Sequence, residues 1–407
     1  MTNVQPSYSG AGLTVRWTIL AAVLFLVGGN GFVIAGVLPD IAADLHVGAA
    51  AVGFTITLYA LLVAVLAPVV AVAFARMSRT LLMVLGLLVL VVGVLLAAAA
   101  TDVAVFAAGR ALAALGGAAL VPTATATAAA IAPPAQRGRA VAVLGLGFTL
   151  ALAVGAPLGT ALAAVAGWRV SMLALAALAA VLVPLLALAV RHVPAAHPLS
   201  IAQRLLVLRD GRVVAVLVAT LSSTAAFNLV YIFSARVTGT SGAPLALLLL
   251  VFGVGGIVGN SVAGPLTDRF GSRGLGAVAM VVQVLALVVV AIAGHAFAGL
   301  AAAFLVWGAA AFAAIVPLQH RLLHIDARTA AVAISWYSTA LYLGIAVAPV
   351  AGAAVLGAGE PVLLPIGAAV LGAAGLVAFL AGHRARRADV VAGTAGLAGA
   401  TPGAVEG

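Results

Sequence analysis

Long apolar runs separated by short polar turns recur from one end of the chain to the other. Runs of about 20 residues, each long enough to cross a hydrocarbon core as a helix, number twelve. They fall at 17–38, 51–74, 80–100, 103–131, 139–165, 169–190, 213–236, 244–266, 275–294, 297–319, 329–357 and 361–381. The pattern predicts an all-α membrane protein of twelve transmembrane helices arranged as two six-helix bundles. The longest polar break, RHVPAAHPLSIAQRLLVLRDGR at 191–212, divides six spans from six. Within it, Leu199 to Leu208 is expected to form a short amphipathic helix on the membrane surface. The expected organisation is therefore an N-terminal bundle over 1–190, a cytoplasmic linker over 191–212 and a C-terminal bundle over 213–384. The small-residue tail over 385–407 has little to pack and is expected to be disordered.

One span carries a second pattern. In the fifth, Gly147, Ala151, Gly155, Gly159, Ala163 and Gly167 succeed one another at intervals of four, which places them on one side of a helix. Such a ridge lets another backbone approach closely in lipid. Pro157 removes a hydrogen bond and bends the axis. Packing in an Ala-rich chain accounts for the ridge as well as mechanism does. The ridge recurs in the eleventh span as Ala340, Gly344, Ala348 and Gly352, and the expectation is that both bent helices lie where one half moves against the other.

That recurrence is part of a wider repeat. Arg137-Gly-Arg-Ala-Val-Ala142 matches Arg328-Thr-Ala-Ala-Val-Ala333, Gly155-Ala-Pro-Leu-Gly159 has a counterpart in Ala348-Pro-Val-Ala-Gly352, and Arg76 corresponds to Arg269. The offsets are 191, 192 and 193 residues. Duplication of a six-helix unit is the architecture of many secondary transporters, with the substrate site between the halves.

Composition sharpens the class. Of the 407 residues, 65% are hydrophobic and 7% charged, against about 25% charged in soluble chains. The net charge of +10 comes from 19 arginines with no lysine. They sit in short turns between spans, so membrane topology explains them and nucleic-acid binding is not expected. With the N-terminus in the cytoplasm, 16 of the 19 fall on the inner side, all but Arg110, Arg169 and Arg236. Both termini are thus expected to be cytoplasmic in a plasma-membrane protein. The absence of cysteine excludes disulfides and thiolate metal sites. The His residues show no metal-ligand spacing. A P-loop is impossible without lysine, and Gly253-Val-Gly255-Gly256 is read as close helix packing. No cofactor, metal or catalytic group is expected, and the chain is not read as an enzyme.

Four stretches bring a family into view. They are Phe32-Val-Ile-Ala-Gly-Val-Leu-Pro-Asp-Ile-Ala-Ala-Asp-Leu45, Gly264-Pro-Leu-Thr-Asp-Arg-Phe-Gly-Ser-Arg273, Arg110 with Gly116-Gly117, and Gly155-Ala-Pro-Leu-Gly159. Together they resemble the major facilitator superfamily, in particular its drug:proton antiporter and sugar-efflux branch, which includes chloramphenicol-type exporters. The resemblance implies multidrug efflux by alternating access in exchange for protons, by a monomer. It also implies that Gly264, Asp268, Arg269 and Arg273 lock the cytoplasmic side, with Gly155, Pro157 and Gly159 acting as gating elements. A solvated arginine loop is the plainer account of the first group. The first-half copy of that loop has Ala75 in the aspartate position and keeps only Arg76 and Arg79.

The candidates for binding and coupling are polar or aromatic groups within the spans. Arg110 is the one charge well inside a span. Burying it costs roughly 2.5–3.5 kcal/mol on insertion scales, so it either faces the cavity or snorkels to the headgroups. The superfamily arrangement puts Asn30, Arg110, Asn228, Tyr231 and Trp307 around the cavity, with Tyr59, Phe148, Asn260, Trp336 and Tyr342 contributed by the neighbouring spans. Helix-to-helix hydrogen bonding or an aromatic belt accounts for any one of them singly. No Asp or Glu lies in a span except at the ends. The branch often has Glu where this chain has Gly31, which leaves Asp40 as the coupling candidate. His320 and His324 are assigned to a cytoplasmic loop. An apolar, aromatic cavity suits a lipophilic or amphiphilic small molecule. The readings left open are uniport or uptake of a sugar or nucleoside, and a membrane sensor built on the same fold.

Overall fold

A computed structural model describes residues 10–133, 136–191, 193, 201–293, 296–326 and 329–398, and every regular element among them is helical. The helices are α1 (Gly10–Asp44), α2 (Ala49–Ala73), α3 (Arg79–Ala98), α4 (Val103–Ile131), α5 (Arg137–Leu150), α6 (Ala156–Ala166), α7 (Trp168–Ala189), α8 (Ile201–Leu206), α9 (Gly211–Ile232), α10 (Ser234–Thr238), α11 (Gly242–Ile292), α12 (Phe297–Ala313), α13 (Ile315–Leu323), α14 (Ala330–Ala358) and α15 (Leu363–Ala398). Among the described residues, eleven helical stretches are long and apolar enough to cross a membrane. One of them, α11, runs for 51 residues and breaks at Gly271, whose φ of 76° lies in the left-handed region that glycine adopts without strain. The break makes two crossings of it, so the segments number twelve.

Local chemistry sets the ends. Asp102 caps α4, its Oδ1 accepting from the backbone N–H groups of Ala104 and Val105 at 2.8 and 2.9 Å. Ser78 caps α3 and Asp210 caps α9 in the same way. Arg169 pairs with Asp44 at 2.6 Å and donates to the Ala100 carbonyl at 2.8 Å, tying together the ends of α1, α3 and α7. Large aliphatic side chains stay exposed on the outer helix faces, among them Leu158, Val181, Leu285 and Val377. Water would not tolerate so many, and lipid does.

Helices α1–α7 pack among themselves, and α9 and α11–α15 do likewise. Small residues set the closest approaches. A side chain at Gly93, Gly109 or Gly116 would strike the backbone of the facing helix where α3 meets α4. Gly255, Gly259 and Gly308 play the same part between α11 and α12. The two bundles meet through α2 against α14 and through α6, with the turn before it, against α11.

The structure corrects two expectations. Helix α15 continues to Ala398, so 385–398 are helical rather than an irregular tail, and the expectation for 399–407 lies outside the described residues. The segment Ala388 to Ala398 holds no proline and several good helix formers, so nothing local stops the helix. The second correction concerns the small-residue ridge. Gly147 faces the Ala21 carbonyl, Ala151 faces Gly28, Gly155 faces Phe25 and Gly159 faces Val33. All four partners lie on α1, inside the same bundle. Gly344 and Gly352 likewise face Leu221, Leu229 and Phe233 of α9 or its C-cap. A period of four selects one helix face, and that face seats the bent helix on its own bundle.

Candidate substrate site

The face that does reach across is offset from the ridge. Pro157 cannot donate to the carbonyl of Ala153, four residues back. The chain accommodates this with a π-turn over Ala151–Gly155 between α5 and α6. There Ala153 lies so close to Gly253 of α11 that a side chain at 253 would collide with its backbone. On the other side, Thr57 of α2 donates to the carbonyl of Ala346 in α14 at 2.7 Å. Pro349 stands one turn beyond Ala346, 3.7 Å from where a side chain at Gly53 would begin. Ala153 and Ala346 differ by 193 positions, the same offset that relates Arg76 to Arg269. Measured from Pro157 and Pro349, the two contact residues fall within one position of equivalence.

Two adjoining cavities lie between these contacts. The first is walled by Val27, Gly31, Phe32, Ile56 and Tyr59 from one bundle and Asn228, Ile232, Tyr342 and Ile345 from the other, with Phe148 beside them. The second shares Phe32, Phe148 and Ile345 and extends along α9 and α14 through Thr220, Ser223, Thr224, Phe227, Tyr337 and Leu341. This second space lies nearer the helix ends that carry most of the arginines. Phe32 bridges the bundles, with its ring 5.5 Å from Phe148 and 5.9 Å from Tyr231. Behind Tyr231 an aromatic stack continues through Phe252 to Trp307, whose rings lie 4.4 Å apart.

Arg110 is 1% exposed and does not snorkel. Its Nη1 donates to the backbone and side-chain oxygens of Asn30 at 2.6 and 3.0 Å. Its guanidinium sits 4.3 Å above the Tyr59 ring, a cation–π contact. Nε and Nη2 have no partner. Gly109 and Gly116, which let α3 close on α4, hold that stretch of α4 in place.

The candidates therefore divide. Tyr59, Phe148, Asn228 and Tyr342 line the first cavity, and Asn30 and Arg110 stand behind Tyr59. Tyr231 and Trp307 are fully buried in the aromatic stack and form support rather than wall. Trp336 is not at the cavity: its indole N–H donates to the Arg204 carbonyl at 2.9 Å, and Arg204 donates to Ser335, so these contacts dock the linker helix α8. Asn260 is half-buried on α11 away from both cavities, and Asp40 is exposed near the end of α1. The loop motif is mostly helical, broken at Gly271. Asp268, Arg269 and Arg273 are exposed, and among the described residues none makes an ion pair. In the first-half copy, Arg79 donates to the Ala126 carbonyl at 2.9 Å. His320 lies in α13 and His324 caps it, with their rings stacked at 4.0 Å, so the loop assignment is corrected for His320. Gly253, Gly255 and Gly256 are in close contact with Ala153, Leu305 and Phe312, which is the packing role expected of them.

Sequence reasoning missed Phe32 and Phe227 as cavity wall, Thr57 as a link between bundles, and the buried pair Ser223–Gln283 at 2.8 Å. The signal for the polar wall was available, because Ser222-Ser223-Thr224 interrupts an otherwise apolar run.

Two six-helix bundles around a central cavity define a membrane transport protein, and comparison with known proteins agrees. The sequence profile of the Major Facilitator Superfamily matches residues 20–349, and the chain belongs to that family. It is 28% identical over 333 residues to an uncharacterized MFS-type transporter, YbcL, of Bacillus subtilis (strain 168), covering 81% of this chain and 85% of that protein. It is 29% identical over 383 residues to the inner membrane transport protein YdhP of Escherichia coli (strain K12), covering 91% and 97%. Its fold resembles the crystal structure of a bacterial homolog to the human lysosomal transporter Spinster, in an inward-facing and unoccupied conformation. The TM-score is 0.69 at 15% identity, with 92% of this chain and 96% of that one covered. The chain is a multi-pass membrane transporter of small molecules and not an enzyme.

Proposed function

We propose that the protein exports a small lipophilic or amphiphilic molecule across the plasma membrane by alternating access, with both termini cytoplasmic. The observation that carries this is the pair of cavities between the bundles, walled mainly by aromatic and aliphatic side chains with a few hydroxyl and amide groups. The halves, taken as 1–190 and 213–384, rock about the paired contacts Ala153–Gly253 and Thr57–Ala346. With the arginine-rich face inside, the second cavity lies toward the cytoplasm, from which an exporter loads. Exposed Asp268, Arg269 and Arg273 then correspond to an unlocked cytoplasmic gate. Export rather than uptake is favoured by the resemblance of Gly155 to Gly159 to the antiporter motif. Proton exchange, which the same resemblance implies, has Asp40 as its candidate carboxylate.

Expression in a host stripped of efflux pumps, screened against antibiotics, sugars and nucleosides, tests the reading. Raised tolerance to one or more lipophilic compounds is expected. Increased sensitivity, or growth on a sugar or nucleoside, would replace export by uptake.

A further inference from the structure

Several polar atoms at or just behind the first cavity can donate and have no partner among the described residues. Arg110 Nε and Nη2 and Asn30 Nδ2 are N–H donors, and Tyr342 carries a free hydroxyl. All are buried, and none has a hydrogen-bond partner among the described residues. The chain has nine acidic residues, namely Asp40, Asp44, Asp102, Asp210, Asp268, Asp326, Glu360, Asp389 and Glu406. The nearest to Arg110 in the chain is Asp102, whose Oδ1 is occupied in capping α4. Among the described residues the guanidinium is a buried charge that makes no ion pair, held by Asn30 and the face of Tyr59. Buried charges are ordinarily paired. Next to Asn30, Gly31 lines the cavity and leaves open space where a side chain would stand.

We propose that the substrate supplies the missing anion: the cargo is a small organic monoanion, a carboxylate or sulfonate on an apolar body. Its acidic group is received by Arg110, Asn30 and Tyr342, and its body by Phe32 and Phe148. This rests on the export reading and also supplies a driving force that needs no membrane carboxylate. A monoanion leaving a cell that is negative inside moves down the electrical gradient. A potential of 100 mV supports a concentration ratio of about 50-fold, the equivalent of roughly 2.3 kcal/mol per charge. Tyr59 covers the guanidinium face in this conformation, so the anion reaches it as that ring gives way.

The test uses the purified full chain in liposomes under a potassium diffusion potential with no pH gradient. The probes are naphthalene-1-sulfonate and naphthylmethyl-trimethylammonium, two bodies of similar size whose opposite charges do not titrate. The sulfonate is expected to accumulate in the positive compartment, approaching about 50-fold at 100 mV. The ammonium compound is expected not to move. Arg110→Gln should abolish sulfonate accumulation and Arg110→Lys should retain part of it. Movement of the ammonium in place of the sulfonate overturns the monoanion while leaving the exporter reading intact. Equal sulfonate accumulation by Arg110→Gln overturns the site. Movement of neither probe overturns the inference, and the pump-deficient host then decides separately whether the chain exports.

Discussion

Thr57 and Ala346 hydrogen-bond across the two bundles at 2.7 Å, side chain to backbone, at the point where α14 is bent by Pro349. A proline loosens the carbonyls one turn before it, and the opposite bundle supplies the donor. This contact stabilises the arrangement of the halves described here. Thr57→Val removes the donor at similar volume and should weaken that arrangement by about 0.5–1.5 kcal/mol. Because the chain has no cysteine, spin labels on introduced cysteine pairs, one per bundle, report the distribution directly. A shift toward longer distances across α2 and α14 is expected, and an unchanged distribution would mean that the bond carries no weight in the equilibrium.

Gly253 and Gly155 separate motion from folding. Gly253 abuts Ala153 of the other bundle, whereas Gly155 abuts Phe25 of its own. Gly253→Leu should stop transport with little change in detergent Tm, because it wedges the halves apart. Gly155→Leu should lower Tm, since overpacking within a bundle costs about 1–3 kcal/mol. Swapped outcomes would return the ridge to the interface between halves.

Arg110 is expected to cost stability in exchange for function. Arg110→Met keeps length, removes an uncompensated buried charge and should leave Tm unchanged or higher, within the roughly 2.5–3.5 kcal/mol that insertion scales assign to such a charge. Transport should be lost. A lower Tm would show that the contacts to Asn30 and Tyr59 outweigh the burial of the charge.

Asp210 caps α9 and accepts from the Arg212 side chain at 2.8 Å. Its side-chain hydrogen bond with Arg212 is the main reason its carboxyl titrates below the usual value. A depressed folded value means stability that is present above about pH 3.9 and is lost as pH falls through the folded value. Asp210→Asn should therefore lower Tm at neutral pH, and the difference from the native chain should shrink as the solution is made acid. A difference independent of pH would assign the effect to the cap alone.

The chain's periodicity made the number of crossings, their order and the duplication legible, because a bilayer demands long apolar runs and tolerates few others. Arg110, Tyr59 and Asn30 were legible as polar groups in apolar surroundings. That they touch one another was not, since this depends on the rotation of α1, α2 and α4 about their axes. The ridge of α5 failed for a related reason. Spacing identifies a face without naming the neighbour it meets, and this face meets α1 of its own bundle. Trp336 looked like cavity wall because its span neighbours the central ones, yet its indole faces the linker.

Alternating-access export is tested most directly in inside-out membrane vesicles from pump-deficient cells, loaded from outside with a lipophilic compound to which the chain confers tolerance. The account predicts energy-dependent accumulation that requires the protein and is lost in Gly253→Leu. Binding without accumulation, or accumulation only in right-side-out vesicles, would contradict it.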